Sequence, residues 1–374
     1  MAYLDWICNL KRAVMKYNQT ILASQTPITW LRPRQIDALY SLRESKDLVV
    51  VLPTGYGKTL IFELIPFYLE CKVVVLEPLN AILNQLCSTL DGYVIRVTEH
   101  FQDHSTLCLG EFSYMVGHPE DILDKNVLEC LLEAEWTKQQ VCLIIDEAHC
   151  ILQWQDEFRP AYKEIKNLRA FFPVCTICAM TATINKGSIK SIKKELKLSK
   201  CIIINCTPLL RKNISLLVRR RPPYSSDTTP TSPYDCVFKS LFEDLIRTKE
   251  NGSCFPVTIV YTRLVWCGRA IEQAKLLLGD QLYNGEKKEE NCIVVQYHSP
   301  QHNKVNEYIL CCLSSENNHI KIIFATISLG MGADLTKVHR VIHAGSPSSV
   351  EGILMHTIKS IFVTCILSLK ISTI

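Results

Sequence analysis

The sequence predicts an α/β fold made of two domains, each built on an open parallel sheet. The first reason is length, because 374 residues can fill two hydrophobic cores at roughly 100–200 residues per domain. The second reason is that short runs rich in Val and Ile alternate with helical patterns, which is typical of parallel strands buried on both faces. The strands predicted in this way are Leu48–Leu52, Val73–Leu76, Val141–Ile145, Thr176–Met180, Cys201–Ile204, Thr258–Tyr261, Ile293–Gln296, Ile320–Ala325 and Val338–Ile342.

A segment dense in Pro, Ser and Thr lies between the two groups of strands and predicts a linker. We therefore expect an N-terminal helical segment over 1–28 and a first α/β domain over 29–215. The linker is expected over 216–235 and a second, incomplete α/β domain over 236–352. Residues 353–374 are apolar and unlike the rest, and we interpret them as a divergent tail.

The composition favours an ordinary globular protein, with 48% apolar and 21% charged residues. A net charge of +4 permits a nucleic-acid partner without arguing for one. No apolar run reaches the ~20 residues that span a bilayer, so we expect no membrane partner. The 18 cysteines lack the matched pairs of a zinc site, and we interpret them as structural thiols of a reducing compartment.

A glycine-rich loop follows the first predicted strand and precedes a helical pattern, with the sequence Pro53-Thr54-Gly55-Tyr56-Gly57-Lys58-Thr59. In that position the glycines let backbone N–H groups turn inward around an anion, next to the positive end of a helix dipole. The lysine would neutralise β and γ phosphates and the final hydroxyl would bind Mg²⁺. The loop therefore predicts an ATP site, with a plain tight turn as the alternative.

Two acids end the buried strand Val141–Ile145 in the run Asp146-Glu147-Ala148-His149. Carboxylates at the end of a buried strand are costly unless a cation compensates them. Asp146 is a candidate ligand of Mg²⁺, Glu147 a candidate general base, and His149 completes the candidate catalytic set with Lys58. The alternative is a helix N-terminus at which the dipole favours acidic residues.

The residues after this box carry a family resemblance, reading Cys150-Ile151-Leu152-Gln153-Trp154-Gln155-Asp156-Glu157-Phe158-Arg159-Pro160-Ala161-Tyr162. The run resembles the Asp-Glu-Ala-His box and the aromatic-rich loop of the RecQ helicase family. The resemblance implies two RecA-like P-loop NTPase domains. It also implies that Gln153, Trp154, Phe158 and Arg159 couple single-stranded DNA to ATP hydrolysis, by base stacking and by charge. Ordinary core packing of the aromatic rings is the alternative.

Two motifs near the phosphate loop strengthen the resemblance. Leu31-Arg32-Pro33-Arg34-Gln35 resembles the family's first motif, which implies that Gln35 contacts the adenine edge and Arg32 stacks on the ring. Glu77-Pro78-Leu79 resembles a motif that reads Ser-Pro-Leu in the family and touches the DNA backbone.

Further motifs follow in family order. Met180-Thr181-Ala182-Thr183 resembles the motif that links hydrolysis to domain closure, so Thr181 and Thr183 join the coupling residues. The run from Ala325 to Asp334 resembles a motif that implies contact of Thr326 with DNA phosphate. The same motif implies that Gly332 and Asp334 lie near the nucleotide.

The resemblance implies an ATP- and Mg²⁺-dependent 3′-to-5′ DNA helicase of repair and recombination. Single-stranded and forked DNA would be its partners, and the nucleus its location, with the cytoplasm as alternative. The family's catalytic arginines have no counterpart here, because no arginine follows Arg340. This departure leaves three rival hypotheses: a catalytically impaired remnant that binds ATP and DNA, an RNA helicase of a related group, and a scaffold with relic motifs.

Overall fold

The computed structural model divides the chain into two compact units, Met1–Thr207 and Pro208–Ile374. The structure describes residues 2–20, 27–53, 55–78, 80–90, 93–98, 101–153, 160–182, 186–198, 200–206, 214–220, 234–315, 317–330, 337–345 and 363–369.

The first unit is built on a 7-stranded parallel sheet with the order β3-β4-β2-β5-β6-β1-β7. Its strands are β1 Asp47–Val51, β2 Lys72–Leu76, β3 Val94–Arg96, β4 Tyr114–Gly117, β5 Val141–Ile145, β6 Cys175–Thr181 and β7 Cys201–Asn205. The phosphate loop follows β1 and the acidic box follows β5, so both leave the sheet at its carboxyl edge. In open parallel sheets, ligands bind outside this edge.

The α-helices described in the first unit connect these strands. They are α1 Ala2–Thr20, α2 Pro33–Arg43, α3 Lys58–Glu63, α4 Ile65–Leu69, α5 Asn80–Thr89, α6 His104–Leu109, α7 Pro119–Ile122, α8 Lys125–Glu133, α9 Cys150–Gln153, α10 Ala161–Glu164 and α11 Lys186–Glu195. Short 3₁₀ turns lie at Glu135–Lys138 and Ile165–Ala170.

Burial explains why the Val-rich runs form central strands. In β1 and β2 every residue after the first is buried, as both faces of the sheet are covered. Helix α1 packs against α4 and buries Trp6, Leu10 and Tyr17 in the same core as Phe62. The helix predicted within 1–28 is α1, Ala2–Thr20, which belongs to the first unit's core.

The second unit has a 6-stranded parallel sheet with the order β10-β11-β9-β12-β13-β8. Its strands are β8 Ile214–Arg220, β9 Thr258–Tyr261, β10 Val294–Tyr297, β11 Ile322–Ala325, β12 Arg340–His343 and β13 Val363–Leu369; its α-helices are α12 Asp235–Glu250, α13 Leu264–Leu278 and α14 Asn303–Ser314. Short 3₁₀ turns lie at Gly279–Leu282, Glu289–Asn291 and Ile327–Gly330. Phe238, Phe242 and Phe324 pack ring against ring in its core.

The unit boundary differs from the expected one. The first unit ends at Thr207 rather than at 215, and β8 occupies the start of the predicted linker over 216–235. The predicted tail over 353–374 contributes β13, which pairs with β12 and with β8. The reason is that both segments are short runs rich in Ile, Leu and Val, which a parallel sheet accommodates wherever neighbouring strands offer backbone partners.

Each predicted strand is present within a few residues of its predicted bounds, and the α/β fold class is confirmed. The strands that were not predicted are β3, β4, β8 and β13. Within the described part of the chain, no helix combines the length and the apolar character needed to cross a bilayer.

Candidate active site

The loop between β1 and α3 has the backbone of an anion cradle. Gly55 and Gly57 adopt φ of 77° and 84°, in the left-handed region where a Cβ is strained. Helix α3 begins directly afterwards at Lys58, whose Nζ lies 3.5 Å from the carbonyl oxygen of Leu52. The ammonium group is therefore held against the loop from which it would meet an anion.

A hydrogen-bonded glutamine ties helix α2 to this loop. Gln35 Nε2 donates to the carbonyl oxygens of Tyr56 at 3.1 Å and Gly57 at 2.9 Å, and its Oε1 accepts from Arg32 N–H at 2.7 Å. The approach is close, because a Cβ on Gly57 would lie 2.6 Å from Gln35 Nε2. The guanidinium of Arg32 donates to the Gly55 carbonyl at 2.7 Å and lies 5.0 Å from the centroid of the Tyr56 ring.

The acidic box places two carboxylates at the end of β5. Asp146 is 4% exposed, and its Oδ1 accepts from the N–H of Glu147 at 2.8 Å. Burial, followed by the charge of Glu147, raises the pKa of Asp146 to about 6, while the positive charge of Lys58 acts in the opposite direction. The electrostatic coupling links the acidic box to the phosphate loop.

Glu147 has a strained backbone and a buried histidine beside it. Its φ is 44°, which a residue with a Cβ rarely adopts and which recurs at functional sites. Its Oε2 lies 3.2 Å from Nδ1 of His149, and that nitrogen lies 3.1 Å from the hydroxyl of Thr181 at the end of β6. The box is thereby connected to the neighbouring strand.

The structure brings most of the predicted site residues of the first unit to one edge of its sheet: Arg32, Gln35, Gly55, Tyr56, Gly57, Lys58, Thr59, Asp146, Glu147, His149 and Thr181. Thr326 belongs to the second unit, where its hydroxyl lies 2.8 Å from that of Ser328. Gln153 is the last residue of α9, and its side chain is not described. Several predicted residues lie outside the described part of the chain, namely Thr54, Trp154, Phe158, Arg159, Thr183, Gly332 and Asp334.

A third carboxyl group, that of Glu77, lies at this edge and was not among the predicted site residues. Glu77 was assigned to DNA-backbone contact, but its side chain is completely buried, and because Leu76 pairs with Ile145, Glu77 and Asp146 come in register at the ends of their strands. The signal available in the sequence was the position of Glu77 directly after a buried strand that neighbours β5.

This arrangement fits a nucleotide with a divalent cation. Inward-turned backbone and a lysine suit phosphate oxygens, and buried carboxylates whose charge is costly suit a hard cation. Thr59 and Asp146 are the residues that would hold such a cation. Among the residues the structure describes, no cluster of three or more His, Cys, Asp or Glu side chains is arranged to hold a metal on its own.

Comparisons with known proteins match the segment of the chain that carries this edge of the sheet. The DEAD/DEAH box helicase family matches residues 32–192, which include the phosphate loop and the acidic box. The chain is 27% identical to the ATP-dependent helicase wrn-1 of Caenorhabditis elegans, covering 86% of this chain and 28% of that protein. It is 26% identical to the RecQ-like DNA helicase BLM of Xenopus laevis, covering 86% of this chain and 22% of that protein.

A viral relative carries a different name. R290 of Acanthamoeba polyphaga mimivirus, whose name describes an ATP-dependent RNA helicase, is 27% identical and is matched over 86% of this chain and 54% of its own length. The chain thus spans about half or less of the length of each of these relatives.

A solved structure supports the fold. The helicase Lhr of Mycobacterium smegmatis, bound to ssDNA and AMP-PNP, superposes with a TM-score of 0.65 at 16% identity, covering 95% of this chain and 47% of that one. At this identity the likeness concerns the fold alone.

Proposed function

Because the chain is a RecQ-type member of the superfamily 2 DEAD/DEAH-box helicases, we propose that it is an ATP-dependent DNA helicase motor. Its first unit would bind ATP with Mg²⁺ and hydrolyse it. Hydrolysis would drive 3′-to-5′ movement along single-stranded DNA and the opening of forked duplexes in nuclear repair and recombination.

One observation carries this proposal. Loops that are distant in sequence, after β1 and after β5, leave the same edge of the sheet, and the positive charge of Lys58 favours the charged form of Asp146. A purely structural tight turn would not need a lysine opposite a buried carboxylate. The pairing is what a metal–phosphate ligand requires on its two sides.

Each residue has a distinct proposed role. The backbone of Gly55 and Gly57 would donate to phosphate oxygens, and Lys58 would exchange its contact with the Leu52 carbonyl for the β and γ phosphates. Gln35 would contact the adenine edge while bracing the loop. When bound, Mg²⁺ would neutralise developing charge on the phosphoryl group.

Glu147 is proposed as the general base. Its carboxylate would take a proton from the attacking water, and His149 would keep that carboxylate oriented from 3.2 Å away. Because His149 also lies 3.1 Å from Thr181, movement at the end of β6 would reach the base through a short chain of polar contacts. This chain is a candidate route between the nucleotide and DNA.

We also propose that turnover by this chain is slow. RecQ-type resemblance implies arginines that stabilise charge on the γ-phosphoryl group, and such an arginine is worth roughly 10³–10⁵ in rate. No arginine follows Arg340 in this sequence. The rival that the chain binds ATP and DNA without hydrolysis rests on the same observation.

Nucleotide binding and turnover are tested separately on the full chain. Binding is measured with fluorescent mant-ATP, and hydrolysis with single-stranded DNA, with RNA of the same sequence, and without nucleic acid. We expect mant-ATP binding, weak hydrolysis and stronger stimulation by DNA. Equal stimulation by RNA would favour the RNA helicase suggested by the viral relative.

Matched variants assign the activity to the site. Lys58→Ala should weaken mant-ATP binding about 10–100-fold, since a hydrogen bond to a charged group is worth roughly 1.5–3 kcal/mol. Lys125→Ala is the control, because Lys125 is an exposed lysine of α8. Glu147→Gln should keep binding and remove hydrolysis. Unchanged binding in Lys58→Ala would refute the proposed nucleotide site.

A further inference from the structure

Two cysteines of the first unit lie next to each other where strands β2 and β5 begin. Cys71 directly precedes β2, and Cys142 is the second residue of β5. The strands pair in parallel with Val73 opposite Cys142, and side chains two residues apart along a strand share a face of the sheet. The sulfur atoms of Cys71 and Cys142 are accordingly 3.8 Å apart, close enough for a hydrogen bond between thiols.

The surroundings of the two thiols differ. Cys142 is completely buried in the hydrophobic core of the first unit, whereas Cys71 packs against that core and stays partly exposed. A small solute can therefore reach Cys71 from the surface but not Cys142. Cys71 also lies between Glu70, which follows α4 with φ of 54°, and the first residue pair of the ladder. Its side chain can approach Cys142 without breaking the pairing of β2 with β5.

The contact between the two sulfurs favours the thiolate form of Cys71. When Cys71 ionises, the S–H of Cys142 can donate to its sulfur, and this hydrogen bond lowers the pKa of Cys71 although burial opposes the shift. The same contact, followed by burial, raises the pKa of Cys142, which therefore stays a thiol. A thiolate is the form of cysteine that attacks an oxidant, and a neighbouring thiol can condense with the oxidised sulfur.

We propose that Cys71 and Cys142 are a peroxide-sensitive pair that forms a disulfide between β2 and β5 and thereby stabilises the first unit. The thiolate of Cys71 attacks one oxygen of hydrogen peroxide, so that an S–O bond forms, the O–O bond breaks, and the leaving hydroxide takes up a proton. Cys142 then attacks the sulfenic acid on Cys71: the S–S bond forms, the S–O bond breaks, and the hydroxyl group leaves with the thiol proton as water. Two thiols are thus oxidised by two electrons in all, and the peroxide is reduced to two waters.

The disulfide would lie at the far end of its strands from the candidate active site. The acidic box follows the carboxyl end of β5, whereas Cys71 and Cys142 lie at the amino ends of β2 and β5. The bond would close a loop that contains β3 and β4 and would restrict the unfolded chain, which is how a disulfide stabilises a fold. It would form whether or not the nucleotide site is active.

The test follows the thiols of the full chain under hydrogen peroxide. After treatment, free thiols are blocked with iodoacetamide and cross-linked peptides are identified by tandem mass spectrometry. The native chain should give a Cys71–Cys142 cross-link that dithiothreitol reverses, and Cys71→Ser and Cys142→Ala should each remove it. In Cys142→Ala the sulfenic acid on Cys71 lacks its partner and should be trapped by dimedone. Urea denaturation should show a higher midpoint for the peroxide-treated native chain than for Cys71→Ser treated in the same way.

Cys87→Ser is the matched control, because Cys87 is also a partly exposed cysteine of the first unit, but burial raises its pKa. This variant should form the Cys71–Cys142 cross-link as the native chain does. In Cys142→Ala, dimedone should label Cys71 faster than Cys87, since the thiolate is the reactive form. Thermal melts monitored by circular dichroism check each fold, and Cys142→Val replaces Cys142→Ala if the smaller side chain prevents folding.

The proposal is overturned if peroxide oxidises other cysteines while Cys71 and Cys142 stay free. A cross-link from Cys142 to Cys178, which lies two residues beyond the register partner of Cys142 in β6, would overturn it as well. Equal dimedone labelling of Cys71 in the native chain and in Cys142→Ala would show that Cys142 does not react with the sulfenic acid. A cross-linked chain that unfolds at the same urea concentration as treated Cys71→Ser, or at a lower one, would also contradict the proposal.

Discussion

The two units share an architecture but differ at the carboxyl edges of their sheets. The first edge carries Lys58, Asp146 and Glu147 on loops with strained backbone. At the second edge Tyr261 and His343 stack with ring centroids 5.4 Å apart, and none of the described residues that directly follow its strands is acidic. Among the described residues, the same parallel-sheet plan therefore places acids directly after a strand in one unit and none there in the other, since loops rather than strands determine the chemistry.

Burial acts on opposite charges in the two units. In the first it raises the pKa of the Glu63 carboxyl, and in the second it lowers the pKa of His343 to about 4. Both shifts favour the neutral form, but they make stability respond to pH in opposite directions. The difference between the units can therefore be measured as well as described.

The largest expected effect comes from matched core truncations. Phe62→Ala and Phe324→Ala each remove a completely buried ring and should each lower the free energy of unfolding of their unit by about 3–5 kcal/mol. Only Phe62 lies on α3, directly after the phosphate loop, so only its truncation should also weaken mant-ADP binding. Urea denaturation and mant-ADP titration measure the two effects. An equal loss of nucleotide affinity in Phe324→Ala would contradict the assignment of the site to the first unit.

The next effect is a pair of pH dependences with opposite sign. Glu63 has a raised folded-state pKa, so its contribution to stability is lost as pH rises above the ordinary value of 4.5. His343 has a lowered folded-state pKa of about 4, so its contribution to stability is lost as pH falls from 6.5 towards that value. The loss amounts to about 3 kcal/mol at most. As the pH is raised, Glu63→Gln should become more stable relative to the native chain. As the pH is lowered, His343→Phe should become more stable relative to the native chain. Parallel pH curves for variant and native chain would contradict the prediction for that residue.

A smaller effect separates two left-handed glycines. Gly57 and Gly285 have φ of 84° and 91°, so alanine at either position should cost about 1–2 kcal/mol of backbone strain. A Cβ at position 57 would also meet Gln35 Nε2, whereas at position 285 it would meet nothing within 4 Å. Gly57→Ala should therefore weaken mant-ADP binding about 10-fold, equivalent to about 1.4 kcal/mol, while Gly285→Ala leaves it intact. Equal binding by both variants would show that Gln35 does not brace the loop.

The smallest expected effect is the loss of one partly exposed ion pair, and it should be the same in both units. Arg169 donates to Asp47 at 2.8 Å in the first unit, and Arg269 donates to Asp235 at 3.1 Å in the second. Both pairs are partly exposed, so each arginine-to-alanine variant should cost about 1 kcal/mol or less of unfolding free energy. A much larger cost in one unit, measured by urea denaturation, would reveal a difference that the geometry does not explain.

The parts of the fold that were predicted are those with long Val- and Ile-rich runs. Strand β5 is fully buried and appears with the bounds its sequence predicts. Strands β3 (Val-Ile-Arg) and β4 (Tyr-Met-Val-Gly) contain no run of Val and Ile longer than two residues, so they lack the pattern that predicted the other strands. The contribution of 363–369 to the second sheet was also missed, because an apolar run does not show which strands it will pair with.

In the candidate site, too, some residues were predicted from the sequence and others were found only in the structure. The spacing of the phosphate loop and the acidic box was enough to nominate Lys58 and Asp146. The same spacing did not identify the position of Glu77. The motif comparison predicted that Glu77 touches DNA at the surface, whereas the sheet buries its side chain. Nor did it indicate that His149 connects Glu147 to Thr181.

The sequence by itself determined the α/β class, the order of the loops and the residue types available for phosphate and cation, because these depend on local pattern and spacing. The tertiary structure alone decided which side chains become neighbours. Strand register placed Glu77 beside Asp146, and packing of α1 brought Tyr17 to Glu63, at sequence separations that no local pattern records. The physical reason is that burial and hydrogen bonding between distant segments depend on the pairing of whole strands and helices, which only the folded chain defines.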